Sequence, residues 1–250
     1  MAIANDPHIA ALWVDAGVDT VMVDLETFGK AERQRGRDTV LSSHSIADIS
    51  ALRRAVPDAD IVARCEPVTM PGWDEHVEDI LQEHPTSVML PMATSAEDAR
   101  RFVGRLGGRA VAIVMIETKA ALDEAAGIAE AAAGGLVFVG LNDLHIQLEQ
   151  TFMFEPLANG MIDHVAETAR ASGASFGFGG LARLGEGLLD AEVVLREHVR
   201  LGSELVILSR TFFQGIGHDG SIQTVSAEIA KLRAAEVRAA GRSADQAEND

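Results

Sequence analysis

Short apolar runs alternate with amphipathic helical patterns along most of the chain. The runs cover residues 2–4, 21–25, 61–63, 87–92, 111–116, 136–141, 175–178 and 204–208. Between them lie segments such as 96–106 and 120–133, whose Ala, Leu, Glu and Arg content is typical of helices. Strands that are buried on both faces read as continuous apolar runs. The pattern therefore predicts eight parallel β-strands, each followed by a helix.

Eight βα units in 250 residues fit an α/β fold of the (β/α)8 TIM-barrel type. A doubly wound open sheet is the alternative, but no G-x-G-x-x-G fingerprint follows the first strand. The barrel is expected to occupy residues 1–233 as a single domain. Residues 234–250 have no bulky apolar face beyond Val237, so a C-terminal tail that is frayed or disordered is expected there.

The charge and the cysteine content exclude several classes of partner and compartment. The formal net charge of −17 repels nucleic acids and anionic membrane surfaces, so neither is expected as a partner. No run approaches the length of a membrane-spanning helix, and no signal-peptide pattern is present. The single cysteine cannot form an internal disulfide, which agrees with a reducing compartment. We therefore expect a cytoplasmic protein.

Polar residues and glycines follow nearly every predicted strand. In TIM barrels, the active site lies at the carboxyl ends of the strands. The residues at these ends are Asn5, Asp6, Asp24, Glu26, Arg64, Glu66, Pro91, Glu117, Asn142, Asp143, Gly179, Gly180, Ser209 and Arg210. Strand ends become polar simply because they meet solvent, but this set is richer in acids and arginines than that explanation requires. It therefore indicates a catalytic or binding site.

Glu117 and Asp143 are the candidate metal ligands. They end neighbouring strands in "VMIET" and "VGLND", and two carboxylates with open positions suit Mg²⁺ or Mn²⁺. Zinc is disfavoured because no His or Cys accompanies them at ligand spacing. The alternative is that each carboxylate caps the helix that follows it.

Arg64, in "VARCEP", is the candidate for binding substrate, since a guanidinium matches the geometry of a carboxylate or an enolate. A salt bridge to Glu26 or Glu66 is the alternative. Asp24 and Glu26, two residues apart in "VMVDLE", point to the same side of a strand. These two carboxylates require either a nearby cation or a position at a solvent-exposed opening of the barrel, because a buried charge without a partner is costly.

The segment "FGFGGLARLGEG" after the seventh strand is dense in glycine. Backbone amides at Gly179 and Gly180, with the charges of Arg183 and Arg210, are candidates for binding an anionic group. A tight turn explains the glycines equally well. His44 and His145 lie in predicted loops after strands and are candidates for general catalysis.

The motifs "VDLE", "ARCEP", "VMLPMATSAEDARRFV", "VMIET" and "GLNDL" together resemble the HpcH/HpaI aldolase and citrate lyase β-subunit family. The resemblance covers about residues 1–215. It implies a metal-dependent barrel of the phosphoenolpyruvate/pyruvate type, in which Glu117 and Asp143 hold the divalent ion and Arg64 faces the enolate. Asp24 and Glu26 would then support Arg64 and the metal-bound waters. A homo-oligomer is also implied.

One departure from the family affects the chemistry. The hydroxy-acid aldolases have a histidine base directly after the Glu of "VDLE", and Thr27 stands there in this chain. A metal-activated water, His44 and His145 remain as candidate bases. The expected function is a class II aldolase, a carbon–carbon lyase joining or separating a 2-oxo acid and an aldehyde. The alternatives are a citrate-lyase-like acyl-CoA lyase and a non-catalytic binding barrel.

Overall fold

The computed structural model describes residues 1–30, 43–213 and 222–247, without the side chains of Arg210 and of residues 242–247. Eight strands and twelve helices are assigned within these ranges. The strands are β1 Ala2–Ile3, β2 Thr20–Asp24, β3 Asp60–Arg64, β4 Ser87–Leu90, β5 Val111–Ile116, β6 Leu136–Val139, β7 Ser175–Leu181 and β8 Leu205–Leu208. The helices are α1 Pro7–Asp15, α2 Ala47–Ala55, α3 Trp73–Gln82, α4 Ala96–Leu106, α5 Lys119–Asp123, α6 Ala125–Ala131, α7 Leu141–Gln147, α8 Glu155–Ala158, α9 Met161–Ala171, α10 Ala191–Arg200, α11 Arg210–Phe213 and α12 Ile222–Ala247.

All eight strands pair in parallel and in chain order, from β1 to β8. Two backbone hydrogen bonds connect the ends of the sheet: the Met1 nitrogen donates to the Val206 carbonyl at 2.9 Å, and the Leu208 N–H donates to the Met1 carbonyl at 2.8 Å. The predicted (β/α)8 barrel is therefore confirmed. Every strand bears a helix on its outer side, which explains why the strands read as continuous apolar runs.

The interior of the barrel is a separate apolar cluster that is rich in methionine. Alternate residues of each strand point inward, and the buried inward set consists of Met1, Met22, Val62, Met89, Ile113, Met115 and Phe138. The intervening residues of the same strands, such as Val21, Ala63 and Val114, pack against the helices instead. The barrel interior is therefore a packed core, and a site for substrate is expected at the carboxyl ends of the strands, as in other TIM barrels.

The seventh strand is longer than its predicted span of 175–178 and includes the first glycines of the expected loop. The register between β7 and β8 is irregular between Phe178 and Leu181, where Gly180 has φ +67°. Gly177 is required by the barrel itself, because a Cβ there would lie 2.6 Å from the Leu205 carbonyl oxygen and 3.0 Å from the Phe138 ring.

Residues 234–247, where a frayed or disordered tail is expected from the sequence, continue α12 as helix in the structure, and residues 248–250 lie outside the described residues. The buried face of α12 is made partly of small residues, Ala235 and Ala239, after Val225, Ile229 and Leu232. Alanine favours helix and packs closely without a bulky side chain. The alanines of this face give no pattern of large apolar residues in the sequence, so the buried face is not evident from the sequence.

None of the helices in the described part of the chain is long and apolar enough to cross a membrane.

Candidate active site

The alternation of side chains along the strands brings the candidate site residues to one place. Met22, Val62 and Met115 point into the barrel, so Asp24, Arg64 and Glu117, two residues further along β2, β3 and β5, point to the same side. They form the carboxyl-terminal mouth of the barrel, which is where TIM-barrel enzymes hold their substrates.

Asp24 and Glu26 are buried at this mouth and share two cations. Arg64 donates to the Asp24 carboxylate from Nε at 2.8 Å and from Nη2 at 2.7 Å. Lys30 donates to the same carboxylate at 2.9 Å. One Glu26 oxygen lies 3.4 Å from Lys30 Nζ and 3.5 Å from Arg64 Nε. The two acids and the two cations thus form one compact quartet, which we call the Asp24 cluster.

The charges in the Asp24 cluster stabilise one another. Burial alone would raise the pKa of Asp24, but the charge and hydrogen bonds of Arg64, followed by those of Lys30, hold this pKa well below its usual range. Burial likewise disfavours the charge of Arg64, yet Asp24 and then Glu26 keep its pKa above its ordinary value. The pair is therefore ionised at every physiological pH.

Glu117 differs from Asp24 because its buried carboxylate has neighbouring acids where Asp24 has paired cations. It is 3% exposed, and its Oε1 accepts one hydrogen bond, from the Met92 N–H at 2.8 Å. Burial first, and then the charges of Glu26 and Asp143, raise the pKa of Glu117 well above its ordinary value. The helix after it, α5, is capped by Thr118, so Glu117 does not cap that helix.

Asp143 stands beside Glu117 in the first turn of α7. It is half-buried and makes no hydrogen bond or salt bridge with any described residue. Gly140 lets the two elements approach, since a Cβ at this position would lie 2.5 Å from Glu117 Oε2. Two neighbouring carboxylates without a cationic partner of their own fit a hard divalent cation. No group of three His, Cys, Asp or Glu side chains suited to a metal occurs in the described ranges, so within these ranges Glu117 and Asp143 are the candidate protein ligands.

The place of the family histidine is occupied by Thr27, whose polar groups turn toward Glu66. The Thr27 hydroxyl donates to Glu66 Oε1 at 2.6 Å, and the N–H groups of Thr27 and Phe28 donate to the same carboxylate. Glu66 thus anchors the turn after β2. It is not the partner of Arg64, which pairs with Asp24 and Glu26 instead.

His44 is held at the mouth, but its Nδ1 is occupied. This nitrogen accepts a hydrogen bond from the Asp24 N–H at 2.9 Å, so the imidazole is neutral and Nε2 carries the proton. Burial lowers the pKa of His44. The contact follows from the length of β1, which ends at Ile3 and leaves the last N–H of β2 without a strand partner. His44 therefore secures the strand that presents Asp24.

His145 lies on α7, the helix that also carries Asp143. It is buried in the last turn of α7, where its Nδ1 donates to the Leu141 carbonyl at 3.1 Å. Residues two apart on a helix point to different sides, so His145 and Asp143 diverge. These contacts are those of a residue that packs inside α7.

The glycine-dense segment is divided between two locations. Gly179 lies against the start of α7, where a Cβ would be 3.4 Å from the Leu141 nitrogen. Arg183 donates to the Glu186 carboxylate from Nε at 3.2 Å and from Nη2 at 2.9 Å, so its charge is already neutralised. Arg210 begins α11, but its side chain lies outside the described part of the structure.

Lys30 is the residue of this site that sequence reasoning missed. It belongs to a charged segment that reads as surface, yet its side chain is 8% exposed. The available signal was its spacing: Lys30 follows Glu26 by four residues, a distance that pairs opposite charges in a turn of helix.

The chain belongs to the HpcH/HpaI aldolase/citrate lyase family, whose profile matches residues 2–177. The family expected from the sequence is thereby confirmed. A search of the curated proteins gives no significant match.

Solved structures share the fold at low sequence identity. An HpcH/HpaI aldolase/citrate lyase family protein from Burkholderia cenocepacia is 17% identical, with a TM-score of 0.65 over 95% of this chain and 94% of that one. The citrate lyase β subunit from Mycobacterium tuberculosis, complexed with oxaloacetate and magnesium, is 20% identical, with a TM-score of 0.59 and coverages of 94% and 93%. The protein CitE from M. tuberculosis, in complex with magnesium, acetoacetate and coenzyme A, is 19% identical, with a TM-score of 0.61 and coverages of 94% and 79%. The magnesium in two of these neighbours agrees with the divalent cation expected from the sequence.

Proposed function

We propose that this protein is a divalent-metal-dependent carbon–carbon lyase that makes or consumes the enolate of a pyruvate-type 2-oxo acid, with an aldehyde as the other partner. The observation that carries the proposal is one arrangement at the barrel mouth. Glu117 and Asp143 form an uncompensated carboxylate pair, and beside them lies an arginine whose orientation is fixed by a buried aspartate.

Glu117 and Asp143 are the residues that would hold Mg²⁺ or Mn²⁺. The Met92 N–H fixes the Glu117 carboxylate, and the absence of a side chain at Gly140 leaves room for this carboxylate at the start of α7. When bound, the cation supplies a Lewis acid that polarises the keto oxygen of a 2-oxo acid and stabilises the enolate formed from it.

Arg64 is the residue that would face the reacting oxygens. Asp24 engages Nε and Nη2, which fixes the plane of the guanidinium, while Nη1 makes no hydrogen bond with any residue in the described ranges. A fixed donor aimed at developing negative charge lowers the barrier without having to reorganise during the reaction. Nη1 is thus available for a substrate carboxylate or for the enolate oxygen.

The candidates for proton transfer at the methyl carbon are a metal-activated water, His44 and His145, and both histidines make other contacts. The Thr27 hydroxyl donates to Glu66, the unprotonated Nδ1 of His44 accepts from the Asp24 N–H, and His145 is buried with its Nδ1 donating to the Leu141 carbonyl. The proposal therefore assigns the binding and orientation of the enolate to Arg64, Glu117 and Asp143 and gives no histidine the role of base.

The metal site is tested by Glu117→Gln combined with Asp143→Asn. Each change keeps the shape of the side chain and removes its charge, so we expect Mn²⁺ binding in calorimetry to disappear while the circular dichroism spectrum stays unchanged. The matched control is Glu97→Gln with Glu130→Gln, on the outer helices α4 and α6, which should bind Mn²⁺ as the unmodified protein does. Undiminished binding in the first variant would contradict the proposed ligands.

The remaining expectations stay predictions. A homo-oligomer and a cytoplasmic location rest on the family resemblance and on composition, respectively. The aldehyde partner is proposed only as a class, because the described residues around Gly179 and Arg183 do not define an anion site.

A further inference from the structure

Three residues other than glycine have a left-handed backbone in the described part of the chain: His84 with φ +53°, Met92 with φ +52° and Glu149 with φ +56°. A side chain makes this conformation unfavourable, so it persists only where the surrounding structure requires it. His84 and Glu149 follow the helices α3 and α7, and each donates to a carbonyl of the last turn, Leu81 or Ile146, which is an ordinary way to end a helix. Met92 comes two residues after the strand β4 and has no helix to end.

The backbone of Met92 joins two neighbouring turns at the mouth of the barrel. β4 pairs with β5, so the turn after β4 lies beside the end of β5. The Met92 N–H donates to Glu117 Oε1 at 2.8 Å, and the Ala93 carbonyl accepts from the Thr118 hydroxyl at 2.9 Å. The dihedral angles of Met92 set the direction of the chain between these two hydrogen bonds. Its left-handed conformation thus has a reason at this place, and one of the two bonds ends on a candidate metal ligand.

The hydrogen bond from Met92 distinguishes the two oxygens of Glu117. Oε1 is engaged, whereas Oε2 makes no hydrogen bond with any described residue. Oε2 lies against Gly140, where a Cβ would be 2.5 Å away. Gly140 directly precedes α7, whose first turn carries Asp143. The unengaged oxygen of Glu117 is therefore the one at the start of the helix that carries the second carboxylate.

We infer that Met92 is a positioning residue of the metal site: its left-handed backbone directs its N–H to Glu117 Oε1 and so leaves Oε2 to bind the divalent cation. The inference rests on the proposed function, because it assumes that Glu117 holds a cation. It concerns the backbone of Met92 and not its side chain. A carboxylate that accepts from a backbone N–H is favoured in its charged form and cannot turn freely, and a metal ligand needs both properties.

The test compares two replacements of Met92 by calorimetric titration with Mn²⁺. Met92→Pro removes the N–H and excludes a positive φ. We expect its Mn²⁺ dissociation constant to rise by about tenfold or more, as for the loss of a hydrogen bond to a charged group. Met92→Gly removes the side chain but keeps the N–H and adopts a positive φ without strain, so its constant should stay within about threefold of that of the unmodified protein.

His84→Pro is the matched control, because His84 has nearly the same φ and its N–H also accepts a role as donor, to the Leu81 carbonyl at 3.2 Å. His84 lies before β4, at the opposite end of this strand from Met92. The control variant should lower the free energy of unfolding in urea and leave the Mn²⁺ dissociation constant unchanged. Weaker Mn²⁺ binding in Met92→Pro is thereby separated from a general loss of stability.

Should Met92→Pro not fold, replacing Met92 by its α-hydroxy acid analogue turns the Pro91–Met92 amide into an ester and removes the N–H alone. This variant should weaken Mn²⁺ binding by a similar factor. Unchanged or tighter binding in Met92→Pro or in the ester variant would overturn the inference. Equal weakening in Met92→Gly would overturn it too, since the side chain would then be responsible.

The proposed function is judged separately, from Mn²⁺ binding by the unmodified protein and its loss in Glu117→Gln with Asp143→Asn. If both are observed and the Met92 variants behave against expectation, the inference fails and the proposed function stands. Absence of Mn²⁺ binding by the unmodified protein would overturn both.

Discussion

Single buried ionisable residues in this barrel divide into those that have a partner and those that do not. Asp24 has two cations, and its charge is therefore stable. His198 has a partner at one nitrogen only: its ring stacks on Phe178 with the centroids 3.6 Å apart, its Nδ1 lies 2.8 Å from Ser203 Oγ, and its Nε2 finds no hydrogen-bond partner among the described residues. A group of the second kind responds to pH.

The pH dependence of stability should carry the signature of His198. Burial lowers the pKa of His198 to about 3, from 6.5 in the unfolded chain. The unfolded state therefore takes up a proton that the folded state refuses, and stability is lost as the pH falls from about 6.5 toward 3. The maximum slope for one such group is about 1.4 kcal/mol per pH unit.

His198→Phe should remove this part of the acid sensitivity. It keeps an aromatic ring for Phe178 and has nothing to protonate, so its free energy of unfolding should fall less steeply than that of the unmodified protein between pH 6 and pH 4.5. Denaturant unfolding at several pH values measures the difference, with the exposed His8→Gln as the control. Parallel slopes for the unmodified protein and His198→Phe would show that His198 does not supply the linkage.

At the scale of elements, some positions can accommodate only glycine, whereas others have room for a side chain. Gly177 in β7 has no room for a side chain, because Leu205 of β8 and Phe138 of β6 close around it. Gly104 lies in the last turn of α4, which ends at Leu106, and a Cβ added there would have nothing within 4 Å. The same substitution at the two sites should therefore have opposite effects.

Gly177→Ala should destabilise the protein by about 1–3 kcal/mol, because the added methyl group forces the strands of the barrel apart. Gly104→Ala should stabilise it by about 0.5–1 kcal/mol, because alanine loses less entropy than glycine in a helix. The free energies of unfolding in urea provide the measurement. A neutral Gly177→Ala would mean that β7 and β8 are not packed as closely as described.

The sequence predicts which strands and helices exist more readily than where they end, or which helix faces are buried through small residues. The eight strands follow from apolar runs, whereas the extension of β7 through Gly179 and Gly180 contains no apolar signal that distinguishes strand from loop. The start of α4 shows the same limit at one residue: Thr94 and Ser95 are both residue types that cap helices, and the structure shows Ser95 accepting from the Asp98 N–H. Helix α12 escaped prediction beyond residue 233 because part of its buried face is alanine.

The site was predictable where it depends on strand ends and unpredictable where it depends on turns. Glu117, Arg64 and Asp24 follow from the rule that parallel strands end at one mouth. Lys30 reaches the same mouth through the turn after β2, and His44 is placed there because β1 is short. Turns and strand lengths leave no hydrophobic periodicity in the sequence, so the positions of Lys30 and His44 are visible only in the structure.

On the scale of the whole molecule, the barrel brings two charge systems to one mouth. The Asp24 cluster pairs two acids with two cations, Lys30 and Arg64, among the described residues. The pair Glu117 and Asp143 is unbalanced without a divalent cation. The central claim is that this combination binds a 2-oxo acid as its enolate, and enolate formation can be observed without knowing the aldehyde.

The most direct measurement is deuterium exchange into the methyl group of pyruvate, followed by NMR in the presence of Mg²⁺ or Mn²⁺ and without any aldehyde. We expect exchange that requires the metal, that is lost in Glu117→Gln with Asp143→Asn, and that falls by about 10²-fold in Arg64→Lys, which keeps the charge but loses the planar fork. Arg109→Lys, at an exposed pair with Glu78, should exchange at the normal rate. Exchange that proceeds without metal, or no exchange with either metal, would contradict the account; the second result would favour an acyl-CoA lyase or a non-catalytic barrel.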